Sequence, residues 1–148
     1  MKIIGIHELD DYKLKNGDWM NYYGGFLIKT EGKDIHLLID NSRICCENFG
    51  YISSNDDLSY FIGAEILDYK VIETDTYNEL PIKLKKVLKL GSEYDINVLD
   101  CSFIKFETDR GSFDLTVYNH HNGYYGHKIK IIERVVSPLE RVLTQDMN

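Results

Sequence analysis

Two stretches of this chain alternate side chains with a period of two on either side of a glycine-bearing turn. That pattern constrains the fold more than any other feature. In the first, Phe26 and Ile28 alternate with Leu27 and Lys29 up to Thr30. Glu31-Gly32-Lys33 turns the chain, and Ile35, Leu37 and Ile39 then alternate with Asp34, His36, Leu38 and Asp40. In the second, Phe103, Lys105 and Glu107 alternate with Ile104, Phe106 and Thr108. Asp109-Arg110-Gly111 turns the chain, and Phe113, Leu115 and Val117 alternate with Asp114, Thr116 and Tyr118. Successive side chains of a strand point to opposite faces, so this spacing predicts two antiparallel hairpins. They match each other: Thr30 with Thr108, Gly32 with Gly111 and Leu37 with Leu115, with one extra residue in the second turn. Each hairpin ends on an asparagine, Asn41 or Asn119. Two related hairpins, or two ordinary ones that happen to look alike, both fit. Either way the two could pair into one sheet or close a small barrel-like sheet, and the pattern leaves open whether they form one sheet or two.

The rest of the chain adds strands and short helices. Residues 2–9 read as a strand, and Asn16-Gly17-Asp18 as a turn. Ser54 or Asn55 is suited to cap a short acidic helix stopped by Gly63, and residues 64–74 read as a strand. Ile82, Leu84, Val87, Leu88 and Leu90 recur at helical spacing, with Pro81 in the first turn and Gly91 at the end. Residues 127–136 give a further strand. Ser137-Pro138-Leu139-Glu140 is a capping box opening a terminal helix to Thr144. The expected class is α+β, mainly antiparallel β, with two or three short helices. The 148 residues fit one domain, 1–148, large enough to bury a core without covalent staples.

Charge and cysteine usage narrow the setting. The net charge is −7, and residues 1–80 hold 15 acids against 7 bases. Such a surface repels nucleic-acid backbones, so direct nucleic-acid binding is not expected. Lys83, Lys85, Lys86 and Lys89 form a basic cluster, read as the solvated side of a helix, with a phosphate contact as the alternative. No run is long and apolar enough for a membrane helix, and the start lacks a leader pattern. Three cysteines, two of them adjacent, fit a reducing compartment, the cytoplasm.

Two segments concentrate the candidate site residues. The first contains Cys45, Cys46 and Glu47. With His36 nearby the cysteines hint at metal, but no C-x-x-C or H-x-x-x-H spacing is present. Adjacent cysteines on a strand point to opposite faces, so no metal site is expected. The second is a polar aromatic loop with Tyr118, His120, His121, Asn122, Tyr124, Tyr125 and His127. Its bland reading is a hairpin whose tyrosines cover the core edge. Its functional reading is a binding rim, with a histidine acid–base pair or a metal as further options. Asp10-Asp11 and Asp56-Asp57 read as turn or helix-start residues rather than catalytic dyads. Trp19, the only tryptophan, reads as a core or interface anchor. No phosphate-binding loop, dinucleotide fingerprint, nucleophile elbow or zinc-protease motif occurs, so no cofactor is implied.

Cys45-Cys46-Glu47, the acidic segment ending at Gly63, Thr108-Asp109-Arg110-Gly111 and His121-Asn122-Gly123-Tyr124-Tyr125 carry a resemblance over roughly residues 24–132. They resemble a family of small uncharacterised proteins of phages and bacterial mobile elements. Its members share a C-C-E motif after the first hairpin, a later T-x-x-G hairpin and an S-N-G-Y-Y-type segment. Here His121 stands in the place of that serine, and residues 77–92 look like an insertion peculiar to this chain. The resemblance carries no catalytic residues. It implies a phage or prophage accessory protein. The expected function is therefore non-enzymatic: binding, then blocking or sequestering, a host or defence protein or a small anionic signal molecule. A histidine-dependent or metal-dependent enzyme and an assembly role as a homo-oligomer are the alternatives.

Overall fold

The computed structural model describes residues 1–41, 48–74, 77–88, 99–120 and 128–145. Eight antiparallel strands are present: β1 (Ile3–Asn16), β2 (Trp19–Thr30), β3 (Lys33–Asp40), β4 (Asn48–Ser53), β5 (Ile66–Thr74), β6 (Leu99–Thr108), β7 (Gly111–His120) and β8 (Ile129–Val135). They form two sheets of four, ordered β1-β2-β3-β8 and β4-β7-β6-β5, and the ladders do not close into a barrel. The mainly-β expectation holds. The two expected hairpins are β2–β3 and β6–β7, one at the centre of each sheet.

The two halves of the chain repeat each other strand for strand. The inward residues Phe26, Ile28, Ile35, Leu37 and Ile39 become Ile104, Phe106, Phe113, Leu115 and Val117 under the shift that takes Thr30 to Thr108, and all ten are buried in one core. The turns repeat as well. Thr30 Oγ1 donates to Lys33 O at 2.8 Å and Thr108 Oγ1 to Gly111 O at 2.7 Å. Both turns hold two residues, so Gly32 corresponds to Arg110. The extra residue expected in the second turn is not there, which is why Leu37 and Leu115 match without a gap.

The first strands of each half also match. A register shift separates Ile3 from Gly5 opposite Thr30 and Lys29, and another separates Ile66 from Asp68 opposite Thr108 and Glu107. Lys2 and Glu65 are therefore counterparts, and they bridge each other. Ile3 N donates to Ala64 O and Ile66 N to Met1 O, both at 2.9 Å. Lys2 N donates to Glu31 Oε1 at 3.0 Å and Glu65 N to Asp109 Oδ1 at 2.9 Å. A residue that pairs with its own counterpart, inside reciprocal bonds, lies on a twofold axis. The fold is a pseudo-dimer within one chain.

The fourth strands are exchanged between the sheets. β4 follows β3 but pairs with β7, and β8 follows β7 but pairs with β3. Their registers obey the same shift: Leu37 faces Ile131 and Leu115 faces Ser53, while Ile39 faces Ile129 and Val117 faces Tyr51. Each half thus completes the other's sheet. The shared core is anchored by Phe106 stacked on Phe113 at 4.8 Å and Phe61 against Phe113 at 4.5 Å. Each such ring contributes about 1.5–3 kcal/mol by burial.

The helices depart from expectation in one place. Ser59–Phe61 is a single 3-10 turn that Ser54 and Asn55 do not cap. Asp57 Oδ1 instead accepts from Ser59 N at 2.9 Å, which holds the Asp57 carboxyl below the usual carboxylate range together with the stronger Ser59 hydroxyl bond. Ser54 is spent on β7, its Oγ accepting from Asp114 N at 2.8 Å. Gly63 does end the turn, at φ +91°. A second 3-10 turn, Tyr77–Glu79, precedes α1 (Ile82–Val87), with Pro81 at the cap. Leu80, Leu84 and Leu88 pack on Leu99, Cys101, Phe103 and Tyr118, on the outer face of the second sheet. α2 (Pro138–Gln145) has its expected cap: Glu140 N donates to Ser137 Oγ at 3.1 Å. Arg141, buried, reaches back to Asp34 and to Thr30 O. Among the described residues no helix is long and apolar enough to cross a membrane.

Candidate functional site

The halves differ most where β1 and β2 run beyond their neighbours. β3 pairs with β2 only from Tyr23 onward, whereas β1 and β2 continue as a ladder to Asn16 and Trp19. The result is a two-stranded arm closed at Gly17, φ +63°, the turn the sequence predicts. Both strands of the arm, β1 past Leu9 and β2 before Tyr23, were missing from the expected elements. Trp19 stands at the tip, 79% exposed, with Met20 and Tyr22 also exposed. Of the two roles expected for the tryptophan, core and interface anchor, the core is excluded.

A cleft opens at the base of the arm. In β1 the register slips by one between Leu9 and Tyr12, so that Asp10 and Asp11 together face Gly24. This is a β-bulge, a device that turns side chains out of the regular pleat and recurs beside functional sites. Asp11 takes φ +56°, which aspartate tolerates better than most residues. Asp10-Asp11 is therefore neither a turn nor a helix start. Across from it Gly25 has φ +138°, and a Cβ there would overlap the Leu37 carbonyl oxygen. A Cβ on Gly24 would come within 3.0 Å of the Tyr51 ring. Gly24 leaves room between the sheets, and the space measures about 370 Å³. Asp10, Asp11, Gly24, Ile39, Asn41, Phe49, Gly50 and Tyr51 line it. It continues past Asp11 and Asn41 into a shallower hollow of about 470 Å³ bounded by Lys13 and Tyr22.

The cleft is aromatic on one wall and rich in hydrogen-bond acceptors on the other. Phe26 meets Tyr51 edge-on at 5.3 Å. Burial, then the charges of Asp10 and Glu8, raise the Tyr51 hydroxyl pKa, so it stays protonated. Asn41 Oδ1 is buried with no hydrogen-bond partner among the described residues. At the outer end Lys13 Nζ lies 5.7 Å over the Tyr22 ring.

The segments singled out in the sequence fall elsewhere. Cys45, Cys46, Glu47, His121, Asn122, Tyr124, Tyr125 and His127 lie outside the described residues. Tyr118 is buried under α1, and burial raises its pKa. His120 ends β7, opposite Asn48 and Leu99. The two segments belong to equivalent connections, β3 to β4 and β7 to β8. Their described flanks meet: Asp40 N donates to Lys128 O at 2.7 Å, and Asn48 pairs with His120. No motif in the chain signals the bulge directly. Its only traces were the two adjacent acids, the glycine pair and the asparagine ending the hairpin.

Other chemistry is limited among the described residues. Cys101 is buried, and burial pushes its thiol up to about 12, so it is no nucleophile. No group of three or more His, Cys, Asp or Glu side chains there could hold a metal ion. His36, whose pKa burial lowers, packs against the Tyr12 ring at 5.2 Å. Lys83 Nζ ties α1 to Ser53 O at 2.6 Å. Lys85 and Lys86 ride the same helix, and Lys89 lies outside the described residues.

No curated protein and no solved structure matches the chain. One family model does, over residues 2–131, a span holding both hairpins, the arm and the cleft. The chain belongs to that family, the domain of unknown function DUF7448.

Proposed function

We propose that this protein is a non-enzymatic binding protein that occupies a protein partner through the β1–β2 arm and the cleft at its base. One observation carries the reading: the only tryptophan is 79% exposed at the tip of an arm that no other strand covers among the described residues. Exposing a large indole costs solubility, and tryptophan is the residue type most enriched at binding hot spots. Met20 and Tyr22 extend the apolar strip toward the cleft. The carboxylates of Asp10 and Asp11 favour a basic partner surface over the small anionic molecule also considered. A partner that handles nucleic acid has such a surface, and the acidic first half can compete for it. The resemblance in the sequence supports a phage or mobile-element accessory role, with the blocked partner in a bacterial host.

Trp19 is its own reporter. Proteins from a bacterial host captured by the full chain are identified, and each is purified and titrated against it. A true partner shields Trp19 from iodide quenching, and Trp19→Ala weakens its binding by about tenfold or more while the melting temperature stays put. Partners that bind Trp19→Ala as well as the parent protein, and leave the indole open to iodide, overturn the reading.

A further inference from the structure

We propose that the cleft receives a guanidinium group on an apolar stem, the side chain of an arginine. The inference deepens the reading above by naming the group the cleft would take from a basic partner, and to that extent rests on it.

Three independent features converge. The first is charge without a partner. Asp10 and Asp11 line the cleft, and neither makes an ion pair or hydrogen bond among the described residues. Two carboxylates on one bulge match the planar fork of a guanidinium, which binds carboxylates through paired N–H donors. The second is the buried acceptor Oδ1 of Asn41, a residue that lines the same cleft; it has no donor among the described residues. A buried acceptor left unmade costs about 1–3 kcal/mol, which a donor-rich ligand would recover. The third is the wall of Ile39, Phe49 and Tyr51. It suits an apolar stem, and the rings suit the flat face of a guanidinium, which stacks on aromatic side chains. The molecule already makes a contact of this kind at the outer end of the cleft, where Lys13 leans over Tyr22.

The second half serves as an internal control. Glu73 faces Ser102 there, one residue against one, where Asp10 and Asp11 face Gly24. Asn119, the counterpart of Asn41, is fully buried and its side-chain oxygen is likewise without a donor among the described residues, so that acceptor is common to both halves. The regular half has no bulge, no glycine and no second carboxylate at this position. What sets the cleft apart is the bulge with its second carboxylate and the facing glycine, present together in one half only.

A hard metal ion would also seek carboxylates. It has no use for the aromatic wall, and the described residues offer it no third carboxylate, histidine or cysteine. The test separates these occupants. Backbone amide NMR spectra of the full chain are recorded during titration with agmatine, acetyl-arginine amide, acetyl-norleucine amide and calcium chloride. The expected result is saturable shifts at Asp10, Asp11, Gly24, Asn41 and Gly50 with both guanidinium probes, at dissociation constants of about 1 mM. Acetyl-norleucine amide should leave them unmoved. Asp11→Asn should weaken the guanidinium probes by roughly fivefold. Gly24→Ser, which installs the residue of the other half, should abolish binding. If Gly24→Ser fails to fold, Asp11→Asn still decides. Equal affinity for the two guanidinium probes identifies a protein side chain as the source, and a clear preference for agmatine identifies a free amine ligand. Both keep the chemistry. No cleft shifts, equal shifts from the norleucine probe, indifference to Asp11→Asn, or shifts from calcium alone overturn it. Trp19→Ala should bind agmatine unchanged, so failure of the arm as an anchor and failure of the cleft read out separately.

Discussion

The first and second halves of this chain are the same structure built twice, and they part company at a single residue. Up to Leu9 and Ile72 the two leading strands run in matching register. Then β1 takes in one extra residue opposite Gly24 and β5 does not. From that slip follow the cleft, the left-handed Asp11 and the demand for glycine at 25, where the other half carries Phe103. The outer surfaces diverge in the same way. The second half places α1 over its sheet, whereas the first extends a bare arm. A repeated scaffold can thus hold one copy for stability while the other copy changes. A one-residue bulge is enough, because it re-aims side chains without disturbing the ladder on either side.

Four measurements would break or sharpen that comparison, and the largest effect belongs to the bulge itself. Gly25→Ala should cost about 3 kcal/mol or more, or prevent folding, because the new Cβ meets the Leu37 carbonyl oxygen in a backbone region closed to other residues. Urea denaturation would show it, and a cost under about 1 kcal/mol would mean that the bulge is soft. Next comes the latch on α2. Arg141→Ala leaves Asp34 buried with only the longer 3.8 Å contact to Arg134, and should cost about 3 kcal/mol. Arg110 in the second half reaches only exposed carbonyls, Tyr60 O and Ile62 O, so Arg110→Ala should cost less than about 1 kcal/mol. Equal losses would contradict the asymmetry.

The third measurement tests sameness. Thr30→Val and Thr108→Val each remove the matching hydroxyl bond across the turn and one backbone N–H bond, from Lys33 N in the first and Arg110 N in the second, and should each cost about 1 kcal/mol, within error of each other. A clear difference would show that the two turns are not equivalent in energy. The smallest effect is in pH. His36 and Asp114 are counterparts, and burial disfavours the charged form of both. The lowered pKa of His36 means stability that is present above the ordinary histidine range and lost as pH falls. The raised pKa of Asp114 means stability that is present at acid pH and lost as pH rises through its folded value. Asp114→Asn should therefore stabilise at pH 7 by under about 1 kcal/mol and make no difference near pH 3, while His36→Gln should flatten the loss on mild acidification. Denaturant curves across pH check both signs.

Much of the scaffold was legible because alternation is a local signal. Thr30 and Thr108 announced the repeat, and Ser137 to Glu140 announced the last helix. The exchange of β4 and β8 was not legible, because a strand carries the same pattern whichever sheet receives it. The bulge was hidden for a related reason: Asp10-Asp11 reads as a turn pair until Gly24 is known to lie opposite. The cleft needed Asn41 and Tyr51 brought together across the two sheets, and no spacing in the chain encodes that. Trp19 was half legible. Its rarity marked it, and only the missing neighbours of the arm showed which way it faced.

The exchanged strands also bear on how the chain is made. On the ribosome β3 emerges long before β8, the strand that covers its free edge, and β4 emerges before β7. The first sheet stays open until residue 135 has been synthesised, with an unpaired edge that invites mispairing. Such long-range closure slows folding. The N-terminal half cannot finish its sheet until β8 has emerged, so the native state should appear in one late step that joins both sheets at once.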